Sequence, residues 1–263
     1  TELDSGKYGM ILRSKGIVDG GADGWLEFDY VPGEWEVRSR GADVGGKLVV
    51  IGSKLNEKAI ADPGKRRKIT MANEIPVYLF VGFLESGKTK FIQETFEDPN
   101  FDSGDKTLLL VCEEGEEEYN QKKFAFPGVT LYNLEDKAEL NPQNLAKLAK
   151  EADAGRVVIE YNGMWLLQDL ANNLPENWIV YQCIATADGT TALTYARDNS
   201  MRSLLLDKIA RSELIVFNRA EAVNNDAARQ ELHKLVRQAS RKCDIAYEFA
   251  DGSVAYDDIP DPL

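Results

Sequence analysis

The chain has 263 residues, enough for one large α/β domain and a small additional module. Its 31 Lys and Arg against 44 Asp and Glu give a formal net charge of −13, which argues against nonspecific nucleic-acid binding. No apolar run approaches the roughly 18 residues of a membrane-spanning helix and no secretory-leader pattern opens the chain, while three scattered cysteines (Cys112, Cys183, Cys243) fit a reducing cytoplasm.

The charge is uneven. Lys plus Arg against Asp plus Glu number 12 and 11 over residues 1–70, but 19 and 33 over residues 71–263. The composition shift coincides with a change of pattern. Residues 1–60 carry short β-rich runs at Tyr8–Leu12, Trp25–Tyr30, Trp35–Arg38 and Lys47–Ile51, separated by Gly, Pro and Asp clusters. Asn56–Ile60 reads as a terminal helical turn. Together they predict a small, mainly antiparallel α+β domain. Residues 61–75 read as a linker, opening on the turn signal Ala61-Asp62-Pro63-Gly64 and continuing through the basic run Lys65–Lys68. That run is a solvated linker or, less economically, a nucleic-acid or targeting patch.

From residue 76 to 263 strands alternate with helices. Strands are predicted at 76–81, 106–111, 129–132, 156–160, 178–185, 213–217 and 245–249. Helices are predicted at 88–97, 142–152, 163–172, 199–210 and 225–241. Runs such as Thr107-Leu108-Leu109-Leu110-Val111 are continuously apolar, as strands buried on both faces of a parallel sheet must be. The fold class is therefore α/β: a doubly wound, mainly parallel sheet with helices on both faces, its ligands bound at the carboxyl ends of the strands.

The first of those strands runs into Gly82-Phe83-Leu84-Glu85-Ser86-Gly87-Lys88-Thr89, which satisfies G-x-x-x-x-G-K-[ST] between a strand and a helix. The glycines let successive backbone N–H groups turn inward around a phosphate. Lys88 supplies a point charge to the β- and γ-phosphates, and the Thr89 hydroxyl suits Mg²⁺. The following helix aims its positive end at the same anion.

Two later strand ends carry carboxylates where a nucleotide–metal site would use them. Strand 106–111 is followed by Cys112-Glu113-Glu114-Gly115-Glu116-Glu117-Glu118, and strand 156–160 ends in Glu160 before Tyr161-Asn162-Gly163. Glu160 reads as a residue holding a Mg²⁺ water or polarising the attacking water, and Gly163 as an N–H donor to the γ-phosphate. The 113–118 run is either a solvated loop or a segment of which one or two members act in switching. Strand 213–217 ends in Asn218-Arg219-Ala220-Glu221. In N-K-x-D GTPases the Asn and Asp of such a segment read the guanine edge. Here Arg219 would stack on the base in place of Lys, and Glu221 would keep the charge with one more methylene. The alternative is a turn that caps the next helix. His233 reads as a surface histidine, and Trp25, Trp35, Trp165 and Trp178 as core or interdomain residues.

With these segments in order, residues 76–250 resemble the CobW/HypB/UreG group of GTPases, the CobW branch in particular. That branch commonly reads GFLGSGKT where Glu85 here replaces the middle Gly. Its N-E-F-G-E-like segment stands as Cys112-Glu113-Glu114-Gly115-Glu116, its E-x-S-G as Glu160-Tyr161-Asn162-Gly163, and its N-K-x-D as Asn218-Arg219-Ala220-Glu221. Residues 7–60 resemble the small C-terminal domain of CobW proteins through Tyr8–Gly16 and Gly46–Gly52, yet here that domain comes first. A circular permutation, natural or engineered, and a fusion of neighbouring genes are both compatible with this order. The branch's C-x-C-C metal motif has no counterpart between Val111 and Glu160, where Cys112 is the sole cysteine.

The resemblance implies a slow cytoplasmic GTPase. It would bind GTP and GDP with Mg²⁺ and act as a conformational switch toward a client metalloprotein or a corrinoid-system protein. Lys88, Glu116 and Glu160 would be its catalytic residues. Gly82, Glu85, Ser86, Gly87, Lys88, Thr89, Gly163, Asn218, Arg219 and Glu221 would be its nucleotide-binding set, and Thr89, Glu113 and Glu160 its metal side. A degenerate nucleotide-binding assembly partner without appreciable turnover is the alternative. An ATP-dependent kinase is a third reading that Asn218 disfavours.

Overall fold

A computed structural model describes residues 10–19, 25–31, 34–40, 47–53, 74–102, 104–113, 115 and 117–260. The chain divides into two compact units, Thr1–Ala72 and Asn73–Leu263.

In the first unit four strands, β1 (Met10–Asp19), β2 (Trp25–Val31), β3 (Glu34–Arg40) and β4 (Lys47–Ser53), form an antiparallel sheet of order β3-β2-β1-β4. β1 continues well past its predicted end at Leu12. Arg13 to Lys15 are polar and Gly16 has low strand propensity, but β1 is a central strand paired with β2 and β4 on its two sides. Two ladders outweigh the local preference. Trp35 lies on the edge strand β3 and is 65% exposed, so it is not the core residue its type suggested. The helical turn expected at Asn56–Ile60 lies outside the described residues.

In the second unit seven parallel strands and one antiparallel edge strand make an eight-stranded sheet. In chain order they are β5 (Ile75–Val81), β6 (Thr107–Val111), β7 (Val129–Asn133), β8 (Arg156–Glu160), β9 (Trp178–Asp188), β10 (Leu214–Asn218), β11 (Asp244–Glu248) and β12 (Val254–Tyr256). The spatial order is β12-β11-β10-β9-β5-β8-β6-β7, with only β11 and β12 antiparallel. Six α-helices connect them: α1 (Lys88–Glu97), α2 (Pro142–Glu151), α3 (Leu167–Asn173), α4 (Ala192–Arg197), α5 (Asn199–Ala210) and α6 (Asp226–Ala239).

Alternate residues of each strand feed two separate cores, as the pleat requires. On one face Leu79, Leu110, Ile159 and Phe217 pack with apolar residues of α2 to α6. On the other, Phe80, Leu109, Val158 and Val216 pack with Ile92 and Phe96 of α1, and the rings of Phe96, Phe101, Phe124 and Phe126 extend that layer. Arg156 is buried beneath these rings, its guanidinium carbon 4.3 Å from the Phe101 centroid, and burial lowers its pKa.

Three local differences from the sequence reading have physical causes. α3 begins at Leu167, not at 163, because Asn162 Oδ1 accepts the Met164 N–H and holds a turn there. α4 is not among the predicted helices, whereas α5 coincides with the predicted 199–210; Asp198 separates the two by leaving helical geometry to cap α5, accepting from Ser200 and Met201 N–H. His233 is buried, not on the surface. Its Nδ1 lies 2.7 Å from Oδ2 of Asp257, a residue just past β12.

Candidate nucleotide-binding site

β5 sits between β8 and β9 and delivers the 82–89 segment to the carboxyl edge of the sheet. Side chains fix the loop through its carbonyls. Lys88 Nζ donates to the carbonyls of Gly82 (2.9 Å) and Phe83 (2.8 Å), Arg219 donates to that of Glu85 (2.9 Å), and Asn218 Nδ2 donates to that of Ser86. The Ser86 hydroxyl meets Thr186 of β9 at 2.8 Å. With the carbonyls drawn to these donors, the first N–H groups of α1 remain for an anion, since they have no intrahelical partner.

Gly87 has φ +89, and a Cβ there would lie 2.3 Å from Asn218 Nδ2. The glycine is needed for both conformation and space. Glu85 adopts φ 60, a left-handed conformation that favours glycine, with its side chain exposed.

Lys88 and Thr89 each meet a carboxylate from a later strand end. Lys88 Nζ is 2.7 Å from Glu113 Oε2, both side chains being largely buried, and the Gly163 N–H donates to Glu113 Oε1 at 3.3 Å. The Thr89 hydroxyl donates to Glu160 Oε1 at 2.8 Å, and the Tyr119 hydroxyl donates to Glu160 Oε2. Burial raises the Glu160 pKa, and the two hydroxyl donors oppose that rise. Burial also pushes the Tyr119 phenol up, with the Glu160 charge adding to it.

Gly163 is as constrained as Gly87. A Cβ there would stand 2.6 Å from the Gly82 carbonyl oxygen and 2.7 Å from Phe83 Cα, so the turn after β8 rests on the phosphate loop. Behind it, Lys208 of α5 donates to the Trp165 carbonyl and lies 3.0 Å from Asp207, whose carboxylate accepts the Leu167 N–H.

The cleft at this edge holds about 250 Å³. Five carboxylates border it (Glu85, Glu113, Glu117, Glu160 and Glu248) against the cations Lys88, Lys90 and Arg219. All three cations are paired: Lys88 to Glu113 at 2.7 Å, Arg219 to Asp188 at 2.6 Å and Lys90 to Glu248 at 2.7 Å. Asn218 also lines the cleft, and its Oδ1 is buried without a hydrogen-bond partner. Glu221 Oε1 accepts the Ala250 N–H at 2.7 Å, which ties the segment after β10 to the loop after β11.

The fold thus brings Gly82, Glu85, Ser86, Gly87, Lys88, Thr89, Glu113, Glu160, Gly163, Asn218 and Arg219 to one edge, with Glu221 just behind Ala250. Glu116 lies outside the described residues. Glu113 faces Lys88 and Gly163, and only Glu160 of the expected metal carboxylates is bonded to Thr89. Tyr119, Phe249 and Ala250 were missed by sequence reasoning. Tyr119 follows a run of acids with no motif spacing, and Phe249-Ala250 lies in a short loop recognisable only by its position beside Asn218.

Thr89 and Glu160 are hard oxygen donors, a set that fits Mg²⁺ completed by phosphate and water oxygens. Among the described residues no group of three or more His, Cys, Asp or Glu is arranged to hold a metal by itself. All three cysteines are buried and free, and burial pushes the thiols of Cys112 and Cys243 up to about 12 and that of Cys183 to about 11. They are packing residues in this fold, poor sources of thiolate.

A glycine-rich loop between a central parallel strand and a helix, with Lys88 and Thr89 at the helix start, defines a P-loop nucleotide-binding protein. More narrowly, the chain belongs to the CobW/HypB/UreG family: residues 76–246 match the family model described as "CobW/HypB/UreG, nucleotide-binding domain". Residues 2–63 match a second model, "Cobalamin synthesis protein cobW C-terminal domain", so that domain precedes the nucleotide-binding domain here. No curated protein matches the chain.

Among solved structures, the Zn(II)-bound YjiA GTPase from E. coli aligns with 18% identity and a TM-score of 0.48, over 66% of this chain and 57% of that one. The hydrogenase maturation factor HypB from Archaeoglobus fulgidus aligns with 15% identity and a TM-score of 0.42, over 66% of this chain and 82% of that one. Among the described residues no helix is long and apolar enough to cross a membrane.

Proposed function

We propose that this protein binds GTP with Mg²⁺ and hydrolyses it slowly as a conformational switch of the CobW type, without that branch's C-x-C-C metal motif. The observation that carries the proposal is the convergence of Lys88, Thr89, Glu160 and the Gly163 N–H on one side of the phosphate loop, with Asn218 on the other. In this reading the loop from Gly82 to Gly87 and Lys88 hold the phosphates. Asn218 and Arg219 meet the guanine, and Glu221 reads its edge after leaving the Ala250 N–H.

Thr89 and Glu160 would hold Mg²⁺, which when bound neutralises charge between the β- and γ-phosphates. An acid-lined cleft supports that requirement, because a polyphosphate entering beside five carboxylates needs a counter-cation. Glu160 is also placed to orient an attacking water, its carboxylate steadied by Thr89 and Tyr119. Slow turnover follows from the committed cations: Arg219 and Lys90 already hold carboxylates, and neither is presented to a transferring phosphoryl group.

A reducing compartment, the cytoplasm, belongs to the same proposal and is supported by the three free buried thiols. So does a client protein, metal-handling or corrinoid-related by analogy with the family. Leu84 of the phosphate loop and Met164 and Leu166 of the adjoining turn are large apolar residues exposed by about half, as a docking surface would be. The domain limits proposed are 1–60, 61–75 and 76–263.

A second reading, a nucleotide-binding assembly partner without turnover, is favoured by the Lys88–Glu113 pair, which occupies the catalytic lysine. Phosphate release from GTP·Mg²⁺ by the wild type, Lys88→Ala and Glu160→Gln separates the two. The switch predicts slow release in the wild type and a loss of about 100-fold or more in either variant. Binding without release supports the partner, and release unaffected by both substitutions sinks the assignment of the site.

A further inference from the structure

We infer that Glu113 is a built-in competitor of the terminal phosphate, a specificity-determining residue that biases the site toward nucleoside diphosphate over triphosphate. The inference rests on the P-loop reading above. Its carboxylate spans the two donors that a γ-phosphate would use: Oε2 takes Lys88 Nζ at 2.7 Å and Oε1 takes the Gly163 N–H at 3.3 Å. A carboxylate is a planar, singly charged stand-in for one face of a phosphoryl group, and it makes the same charge-assisted bonds.

The arrangement is held from both sides. Gly163 is pressed onto Gly82 and Phe83, so its N–H keeps its place relative to the loop. Lys88 is anchored by the Gly82 and Phe83 carbonyls, so its ammonium does not swing away from Glu113. With its side chain only about a tenth exposed, Glu113 is shielded from the solvent that would otherwise weaken the pair.

A diphosphate meets the inner loop N–H groups and shares the Lys88 ammonium with Glu113, whose carboxylate keeps its place against Lys88 and the Gly163 N–H. A triphosphate must displace the Glu113 carboxylate, or place its γ-phosphate against a like charge in a cleft that already holds four other carboxylates. The terminal phosphate therefore gains Lys88 and the Gly163 N–H only at the cost of bonds already made. That cost falls mainly on the triphosphate, and it couples the segment after β6 to the presence of the γ-phosphate.

The test is calorimetric titration of the full chain, in Mg²⁺, with GDP and with a hydrolysis-resistant GTP analogue. Wild type, Glu113→Gln and Glu113→Ala are compared with Glu117→Gln, which removes an equal charge from the same cleft without touching Lys88. The inference predicts that both Glu113 variants tighten the triphosphate relative to the diphosphate by about tenfold or more, while Glu117→Gln leaves the ratio within about threefold. Triphosphate binding by a Glu113 variant where the wild type takes up only diphosphate supports it further.

An unchanged ratio in both Glu113 variants overturns the inference while leaving the site intact. Weaker triphosphate binding also overturns it, since that is the behaviour of a metal ligand. If neither nucleotide binds to any of the proteins, the P-loop reading fails and this inference fails with it.

Discussion

Glu160 is the side chain whose chemistry is most exposed to test. Burial raises its pKa above the ordinary carboxyl value of 4.5, so the ionised form costs stability in the native state at neutral pH. The sign follows from linkage. Between the raised native value and the unfolded one the native state binds more protons, so this group's contribution improves as pH falls through that window. Glu160→Gln is therefore expected to raise the melting temperature of the nucleotide-free protein at pH 7–8, with the gain over wild type shrinking toward pH 4.5; a gain that grows on acidification contradicts the assignment. Tyr119→Phe acts in the opposite direction. It strips a donor from a buried carboxylate and should cost about 1–3 kcal/mol in urea unfolding at neutral pH, and less in acid. Glu85 makes a third case. At φ 60 a non-glycine residue carries strain, so Glu85→Gly should stabilise by about 1 kcal/mol and also remove a negative charge from the cleft. Unfolding midpoints that fall on this substitution would show that the side chain has a role that the backbone does not reveal.

At the scale of elements, the site is made by contacts between strand ends. The turn after β8 lies against the phosphate loop so closely that Gly163→Ala should cost about 1–3 kcal/mol and loosen triphosphate binding together, since the new Cβ meets backbone on two sides. Calorimetry and denaturant melts read the two effects separately, and a variant with wild-type values in both would mean that the turn is free to move away. Much of this was legible in the sequence. The phosphate loop is a local motif, and the buried strands are continuous apolar runs, so β5, β6, β8 and β10 fall within a residue of their predicted ends. What escaped has two causes, short elements with weak local signals and partners distant in sequence. α4 is a six-residue helix distinguishable from α5 only by the capping at Asp198. β12 is three exposed-edge residues whose ladder with β11 no periodicity announces. His233 looked like a surface residue because Asp257, its partner, follows it by 24 positions. Tyr119 and the Glu113 bridge were invisible for the same reason: each is defined by a residue on another strand end.

Across the whole molecule the sheet order places the chemistry in the most protected region. β5 lies between β8 and β9 with further strands outside each of them, so its amides are expected to open only in global unfolding. Native-state hydrogen exchange should be slowest in β5, β8 and β9 and faster in the edge strands β7 and β12; uniform protection across the sheet would contradict this order. The net charge of −13 also acts at this scale: it argues against nonspecific nucleic-acid binding, and the proposed anionic ligand would depend on the local Lys88 field and a metal counter-ion. Guanine over adenine is the choice that Asn218, Arg219 and Glu221 are proposed to make, and Lys88 is proposed to supply the main charge that holds the phosphates. The most direct measurement is calorimetric titration of the full chain with GDP and ADP in Mg²⁺, wild type against Lys88→Ala. The account predicts GDP binding at least about tenfold tighter than ADP, and a loss of about tenfold or more on Lys88→Ala. Equal affinity for the two bases, or GDP binding that survives Lys88→Ala undiminished, would contradict it.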